Sequence, residues 1–361
     1  MIMAPKPLPN VLEITPYVPG LSADSGHKLS SNENPLGCSP AVRATIEANL
    51  DHLEVYPDGG ANKLRDSIAE RYGLDPARLV CGSGSDEIFQ LLARAYLAPG
   101  DEIIQSEHGF LVYRLVAQQS GAETVSVPDK DMTADVDGML AAVTDKTKIV
   151  FLANPNNPTG TYLPFDEVRR LHEGLPSHVL LVLDAAYAEY VRKNDYSSGM
   201  EMASNYDNVL MTRTFSKIYG LAALRLGWAY GPTAVIDAIN RVRGPFNVNT
   251  LAQLAGIAAI NDEVFAEKSA EFNKRELARL TDAVASTGLK VYPSVANFIL
   301  VEFQSEGPYT AEKAEAKLRE NGLIVRDVKP YGLPNCLRIS IGVKEANDQV
   351  IAVLKDFMSV R

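Results

Sequence analysis

Thr214, Ser216, Lys217 and Arg225 are residues whose types and spacing can combine into one piece of chemistry. The apolar run Asn208-Val209-Leu210-Met211 ahead of them reads as a short buried strand, so the hydroxyls and the lysine fall just past a strand end. Ligands of open α/β sheets bind at that edge. A lysine set among small and apolar residues is desolvated, its pKa falls, and the free amine becomes a nucleophile towards an aldehyde. Two hydroxyls and the planar fork of Arg225 suit a phosphate dianion. An aldehyde-capturing amine beside a phosphate clamp describes a pocket for pyridoxal 5'-phosphate. Taken alone the string also fits a solvated loop, since most lysines are surface residues. Threonine at 214 departs from the acyl-transfer Ser-x-x-Lys signature.

Three further groups fit the same pocket. Gly82-Ser83-Gly84-Ser85-Asp86-Glu87 follows the strand Leu79-Val80-Cys81 and precedes a helix over Ile88 to Tyr96. Its glycines allow close backbone approach and the helix start attracts an anion. Glu87 stands where a dinucleotide fingerprint needs its third glycine, so a phosphate cradle fits better than NAD, with Ser85 facing the phosphate and Asp86 and Glu87 favouring the helix start. Asn157 sits in Asn154-Pro155-Asn156-Asn157-Pro158-Thr159-Gly160, after the apolar strand Ile149 to Leu152, where two prolines stiffen the loop. Its amide can donate to a phenolate oxygen, and the string is also good turn chemistry. The apolar run Val179 to Leu183 reads as a central parallel strand ending in Asp184. A carboxylate there is costly without a positive partner, which a protonated pyridine nitrogen supplies. Tyr187, three residues on, reaches the same phenolate oxygen as Asn157.

These groups need a frame, and 361 residues suffice for a large core and two domains in contact. Residues 1–28, rich in Pro and Gly, read as an extended arm containing Tyr17, residues 29–250 as a large domain, and residues 251–361 as a smaller α+β domain. Helical spacing from Thr250 to about Ser286 predicts a long connecting helix broken near Asp262. Strands are expected at Lys290-Val291-Tyr292, Ala296 to Phe303 and Cys336 to Ile341, with helices at about 310–321 and 344–359. A net charge of −10 argues against a nucleic-acid backbone as partner. Three scattered cysteines and five scattered histidines give neither a disulfide framework nor a metal site. No apolar run reaches the ~20 residues needed to span a bilayer, and the N-terminus lacks the build of a signal peptide, so a cytoplasmic protein is expected.

Ser216-Lys217 with Arg225 resembles the lysine motif of the fold type I pyridoxal-phosphate aminotransferases. Asn32-Glu33-Asn34-Pro35 resembles the start of the histidinol-phosphate aminotransferases, and the Asn154 to Gly160 string and Asp184-Ala185-Ala186-Tyr187 follow in family order, the latter with Ala185 where Glu is usual. The resemblance runs from residue 29 to Arg338. It implies a mostly parallel sheet flanked by helices and an obligate homodimer. It also implies that Tyr56 crosses to the neighbouring subunit's cofactor phosphate, and that the loop Arg243 to Asn249 approaches the partner's site. Phe110 would stack on the cofactor ring, keeping the stack but not the hydroxyl of the commoner tyrosine, with Tyr113 as second choice. Arg338 and Arg326 would bind substrate anions, although a buried arginine can also be structural, and Tyr17 and Asn34 are further substrate-binding candidates.

The reaction so implied moves an amino group from histidinol phosphate to 2-oxoglutarate in histidine biosynthesis, with Lys217 as general acid and base. A broad aromatic amino-acid aminotransferase or a threonine-phosphate decarboxylase could share every cofactor residue. A non-catalytic module that binds the same cofactor is the alternative from another class, and Lys217, Asp184 and Arg225 together speak against it.

Overall fold

The computed structural model describes residues 6–16 and 26–359. Strand β1 is His27–Lys28, and the next seven form one sheet: β2 (Leu79–Gly82), β3 (Glu102–Ser106), β4 (Glu123–Val127), β5 (Thr147–Ala153), β6 (Leu180–Asp184), β7 (Val209–Thr214) and β8 (Gly227–Tyr230). Their order is β2-β8-β7-β6-β5-β3-β4, with β8 antiparallel to both neighbours and the other pairs parallel. Because side chains alternate along a strand, each apolar run supplies both faces. Ile104, Val150, Leu152 and Leu181 pack with the helices Asn62–Tyr72, Phe165–Gly174 and Thr250–Asn261. Ile103, Ile149, Phe151 and Val182 pack with Ser85–Tyr96, Leu111–Gln119 and Thr233–Val242. Crossover helices therefore bury the sheet on both sides, and the carboxyl ends of its parallel strands are left to carry chemistry.

The break expected near Asp262 is present: helices Thr250–Asn261 and Glu263–Ala285 meet there, and the Asp262 side chain caps the second by accepting from Phe265 N–H. Beyond it lie β9 (Lys290–Val291), β10 (Phe298–Glu302), β11 (Leu323–Ile324), β12 (Arg326–Asp327) and β13 (Cys336–Ser340). Four of these make an antiparallel sheet, β12-β13-β10-β9. Leu280, Leu318, Val350 and Leu354 cover it from the helices Glu263–Ala285, Ala311–Glu320 and Lys344–Ser359.

The beginning of the chain differs from expectation in two ways. Pro9–Leu12 forms one helical turn, with Pro9 at the first helical position, where its fixed φ suits the helix and no N–H is missed. β1, inside the expected arm, pairs in parallel with β11, and the ladder continues through Leu29 N–H to Ile324 O at 2.7 Å. Tyr17 lies outside the described residues.

Candidate active site

Five strand ends converge on a cavity of about 240 Å³. Lys217 follows β7, its Nζ donating to Ser31 O at 3.0 Å and lying 5.7 Å from the centre of the Tyr187 ring. Burial, helped by the positive charge of Arg338, lowers the amine to about 8. That is the desolvated lysine the sequence suggested, poised to lose its proton near neutrality.

Thr214, Ser216 and Arg225 line the cavity around it. Arg225 takes a left-handed backbone conformation at φ +53° and donates to Ser216 Oγ at 3.3 Å and to Asp86 Oδ2 at 3.1 Å. Opposite is the start of the helix Ser85–Tyr96, whose N-cap Gly84 has φ +82° and no side chain to satisfy the first-turn N–H groups. A Cβ on Gly84 would stand 2.5 Å from an Arg225 guanidinium nitrogen, and one on Gly227 would stand 2.4 Å from Ser85 N, so both glycines are demanded by close approach. Helix-start N–H groups without a side-chain cap, two hydroxyls and an arginine thus border one cavity, an arrangement that suits an anion. The helix begins at Ser85, three residues before its predicted start, so Glu87 falls in its first turn. Glu87 points away from the cavity: its Oε2 accepts from Ser83 N–H at 2.6 Å and Asn247 Nδ2 at 2.8 Å, tying the helix start to the loop after residue 243.

Asp184 ends β6 with its carboxyl buried. Tyr113 Oη donates to its Oδ2 at 2.6 Å and Ala186 N–H to its Oδ1 at 3.2 Å, with Thr212 Oγ1 at 3.5 Å. Burial pushes the carboxyl up to about 6, against the pull of the Tyr113 hydrogen bond. The carboxylate reaches a cavity with no cation fixed on it, as expected for a group awaiting a positive partner. Phe110 lines the cavity, whereas Tyr113, the second candidate for ring stacking, is wholly buried behind it and edge-on to Phe110 at 5.7 Å. Both side chains spring from one helix start, and it is Phe110, the N-cap position, that faces inward.

Asn157 and Tyr187 also line the cavity. The Tyr187 hydroxyl accepts from Asn32 Nδ2 at 2.9 Å, and the Asn157 side-chain oxygen accepts from Arg338. Arg338, on β13, also donates to Ser30 O at 2.6 Å, and its Nε is buried without a partner. Arg326 lies across the register from Arg338 on β12 and does not line the cavity. Asn34 does not line it either: its amide donates to Ile218 O at 2.7 Å and Ser269 Oγ at 3.0 Å, fastening the entry segment to the lysine loop. Ser31 and Glu33 face the cavity instead, on either side of Asn32, whose backbone turns through the left-handed region at φ +57°. Tyr56 is 78 % exposed, stacked on Phe246 at 4.7 Å, and lies outside the cavity of its own chain. Sequence reasoning missed Asn32 and the hydrogen bond from Tyr113. The first had a usable signal, being inside the Asn-Glu-Asn-Pro string. Among the described residues no group of three or more His, Cys, Asp or Glu could hold a metal ion, and no helix is long and apolar enough to cross a membrane.

The aminotransferase class I and II family matches residues 25–354. The chain is 55 % identical over 360 residues to the histidinol-phosphate aminotransferase of Maricaulis maris (strain MCS10), with 99 % of each chain covered. It is 53 % identical over 359 residues to that of Rhodopseudomonas palustris (strain TIE-1), covering 98 % of each. The crystal structure of histidinol-phosphate aminotransferase from Sinorhizobium meliloti in complex with pyridoxal-5'-phosphate superimposes with a TM-score of 0.91 at 27 % identity, over 99 % of this chain and 98 % of that one. The fold is that of the fold type I pyridoxal-phosphate aminotransferases. With the family matched across almost its whole length, this chain belongs to the class I and II aminotransferases and is an enzyme.

Proposed function

We propose that the enzyme is a cytoplasmic, homodimeric histidinol-phosphate aminotransferase, exchanging the amine of histidinol phosphate with 2-oxoglutarate to give imidazole-acetol phosphate and glutamate in histidine biosynthesis. The observation that carries the chemistry is Lys217, lowered to about 8, in one cavity with Asp184 and the Arg225 anion site. The residues fit pyridoxal 5'-phosphate: Asp184 lacks a cation, Arg338 Nε lacks an acceptor, and the Gly84 cradle would be filled by a Cβ. That cofactor, when bound, supplies a cationic ring that accepts electrons from the substrate carbon.

Every other task falls to the chain. Ser85, Thr214, Ser216 and Arg225 hold the phosphate, with Tyr56 of a second copy completing the clamp, while Asp86 orients Arg225. Asp184 keeps the ring nitrogen protonated, Phe110 covers the ring, and Asn157 and Tyr187 hold the phenolic oxygen. Lys217 would hold the cofactor's aldehyde and, with its amine free, would take up and give back the substrate Cα proton as general base and acid; an amine lowered to about 8 suits both directions. Arg338 takes the phosphate of one substrate and a carboxylate of the other, since a guanidinium fork fits either. Arg326, Asn34 and Glu87 do not line the cavity, and Tyr17 is a further substrate-binding candidate.

The test is a half-reaction. Histidinol phosphate added without any oxo acid should bleach the visible band of the holoenzyme at far lower concentration than phenylalanine does. Equal response to phenylalanine would move the assignment to an aromatic aminotransferase, and turnover without a 2-oxo acid to a decarboxylase.

A further inference from the structure

We infer that Tyr113 is a positioning residue that fixes the Asp184 carboxylate, in its charged form, against the cofactor's ring nitrogen. The inference rests on the reading of Asp184 given above. Tyr113 is fully buried, and its ring is held on three sides: stacked on Phe151 at 4.5 Å and 4°, edge-on to Phe89 at 5.2 Å, and edge-on to Phe110 at 5.7 Å. A ring so clamped leaves its hydroxyl one direction, and at 2.6 Å that hydroxyl donates to Asp184 Oδ2. Oδ1 receives the weaker contacts from Ala186 N–H and Thr212.

The charges facing Asp184 make the donor matter. Asp86, from the helix Ser85–Tyr96, repels the carboxylate, and burial disfavours it more. Tyr187 and Tyr196 follow on the same loop and Lys217 lies beyond β7, but no cation of the described chain pairs with Asp184. The hydrogen bond from Tyr113 is the leading influence that favours the ionised form. Burial and the neighbouring carboxylate hold the phenol itself far above its ordinary range, so it donates and does not titrate at working pH. The same ring braces Phe110, so one side chain sets both the carboxylate and the aromatic that line the cavity.

The experiment titrates apoprotein with pyridoxal phosphate across pH, using wild type, Tyr113→Phe and Asp184→Asn. A parallel series uses an analogue whose ring nitrogen is replaced by C–H. Tyr113→Phe keeps the three ring contacts and loses only the hydroxyl. A hydrogen bond to a charged group predicts binding weaker by about tenfold near neutrality, with the acid fall-off in affinity moved to higher pH because the undonated carboxyl protonates sooner. The carbon analogue should bind wild type and Tyr113→Phe equally. Loss of affinity for cofactor and analogue alike would show a packing role and overturn the inference. Loss in Asp184→Asn but not in Tyr113→Phe overturns the role of Tyr113 alone; no loss in either overturns the reading of Asp184 with it.

Discussion

Arg338, on β13 of the four-stranded sheet, and Asn157, just past β5 of the seven-stranded one, meet inside the protein, a guanidinium N–H of the first donating to the side-chain oxygen of the second. The residue read as the substrate clamp and one read as a cofactor holder are thus one hydrogen-bonded unit, and a buried guanidinium whose Nε has no acceptor suits an incoming anion. Arg338→Ala should lower kcat/KM for both the amine and the oxo acid by roughly tenfold to a hundredfold, the range of a charged hydrogen bond. The visible cofactor band should persist. Arg338→Lys should recover little, because an ammonium cannot reproduce the fork. Unchanged turnover of either substrate in Arg338→Ala would remove the arginine from the substrate site.

The Lys217 amine gives a pH signature without any substrate. An unfolded lysine titrates near 10.4, whereas this one is lowered to about 8 by burial and Arg338. Between those values the unfolded chain binds more protons than the folded one, so stability rises with pH through the window and the cost is fully present below it. Cofactor-free Lys217→Met should therefore melt above wild type near pH 7, by on the order of 1 kcal/mol because the amine faces an open cavity, and the gap should close towards pH 10. Calorimetry at both ends of the range reads it; a gap independent of pH would mean that the side chain matters for packing alone.

Behind the lysine loop, Arg213 and Glu189 form a buried pair at 2.7 Å, with Arg213 also facing the rings of Tyr72 and Trp228. Glu189→Ala would strand a buried guanidinium, and losing one partner of such a pair costs about 3–5 kcal/mol. Urea titration should show that loss, with turnover of the enzyme that remains folded little changed. A shift below about 0.5 kcal/mol would place the pair in the solvated class.

Tyr56 and its neighbours Leu53 and Val55 are all more than half exposed, an apolar edge that a second copy would cover. If Tyr56 completes the opposite site, Lys217→Ala and Tyr56→Ala chains, each impaired, should regain activity when refolded together, because one site of the hybrid then holds both wild-type residues. Sedimentation should give twice the chain mass. Mixtures no more active than their parents would confine each site to a single chain.

Much of this was legible because the parallel strands are uninterrupted apolar runs: once Leu180–Leu183 and Val209–Met211 are strands, Asp184 and Lys217 must lie at the same edge of the sheet. What lay outside was direction within a turn. Phe110 and Tyr113 lie three apart at one helix start, and while the resemblance put the first at the cavity, nothing in the sequence showed that the second turns behind it to Asp184. Asn34 and Glu33 are adjacent, yet the glutamate faces the cavity and the asparagine the lysine loop. Glu87 found backbone and amide donors on the far side of its helix start. Strand β4, whose first two residues are both polar and which is mostly not buried, and β1 and β11, two residues each, fall below what periodicity can detect.

The pairing of β1 with β11, and of Ser30 and Asn32 with Arg338 and Ser340 across 308 residues of chain, bears on synthesis as well as on the finished enzyme. The large sheet, complete by Tyr230, can assemble before the small antiparallel sheet is made, yet β1 has no strand partner until Leu323 and Ile324 follow, and Ser30 and Asn32 wait further for Arg338 and Ser340. That segment is fixed in full only once β11 and β13 exist, and the cavity it borders closes late in the chain's birth.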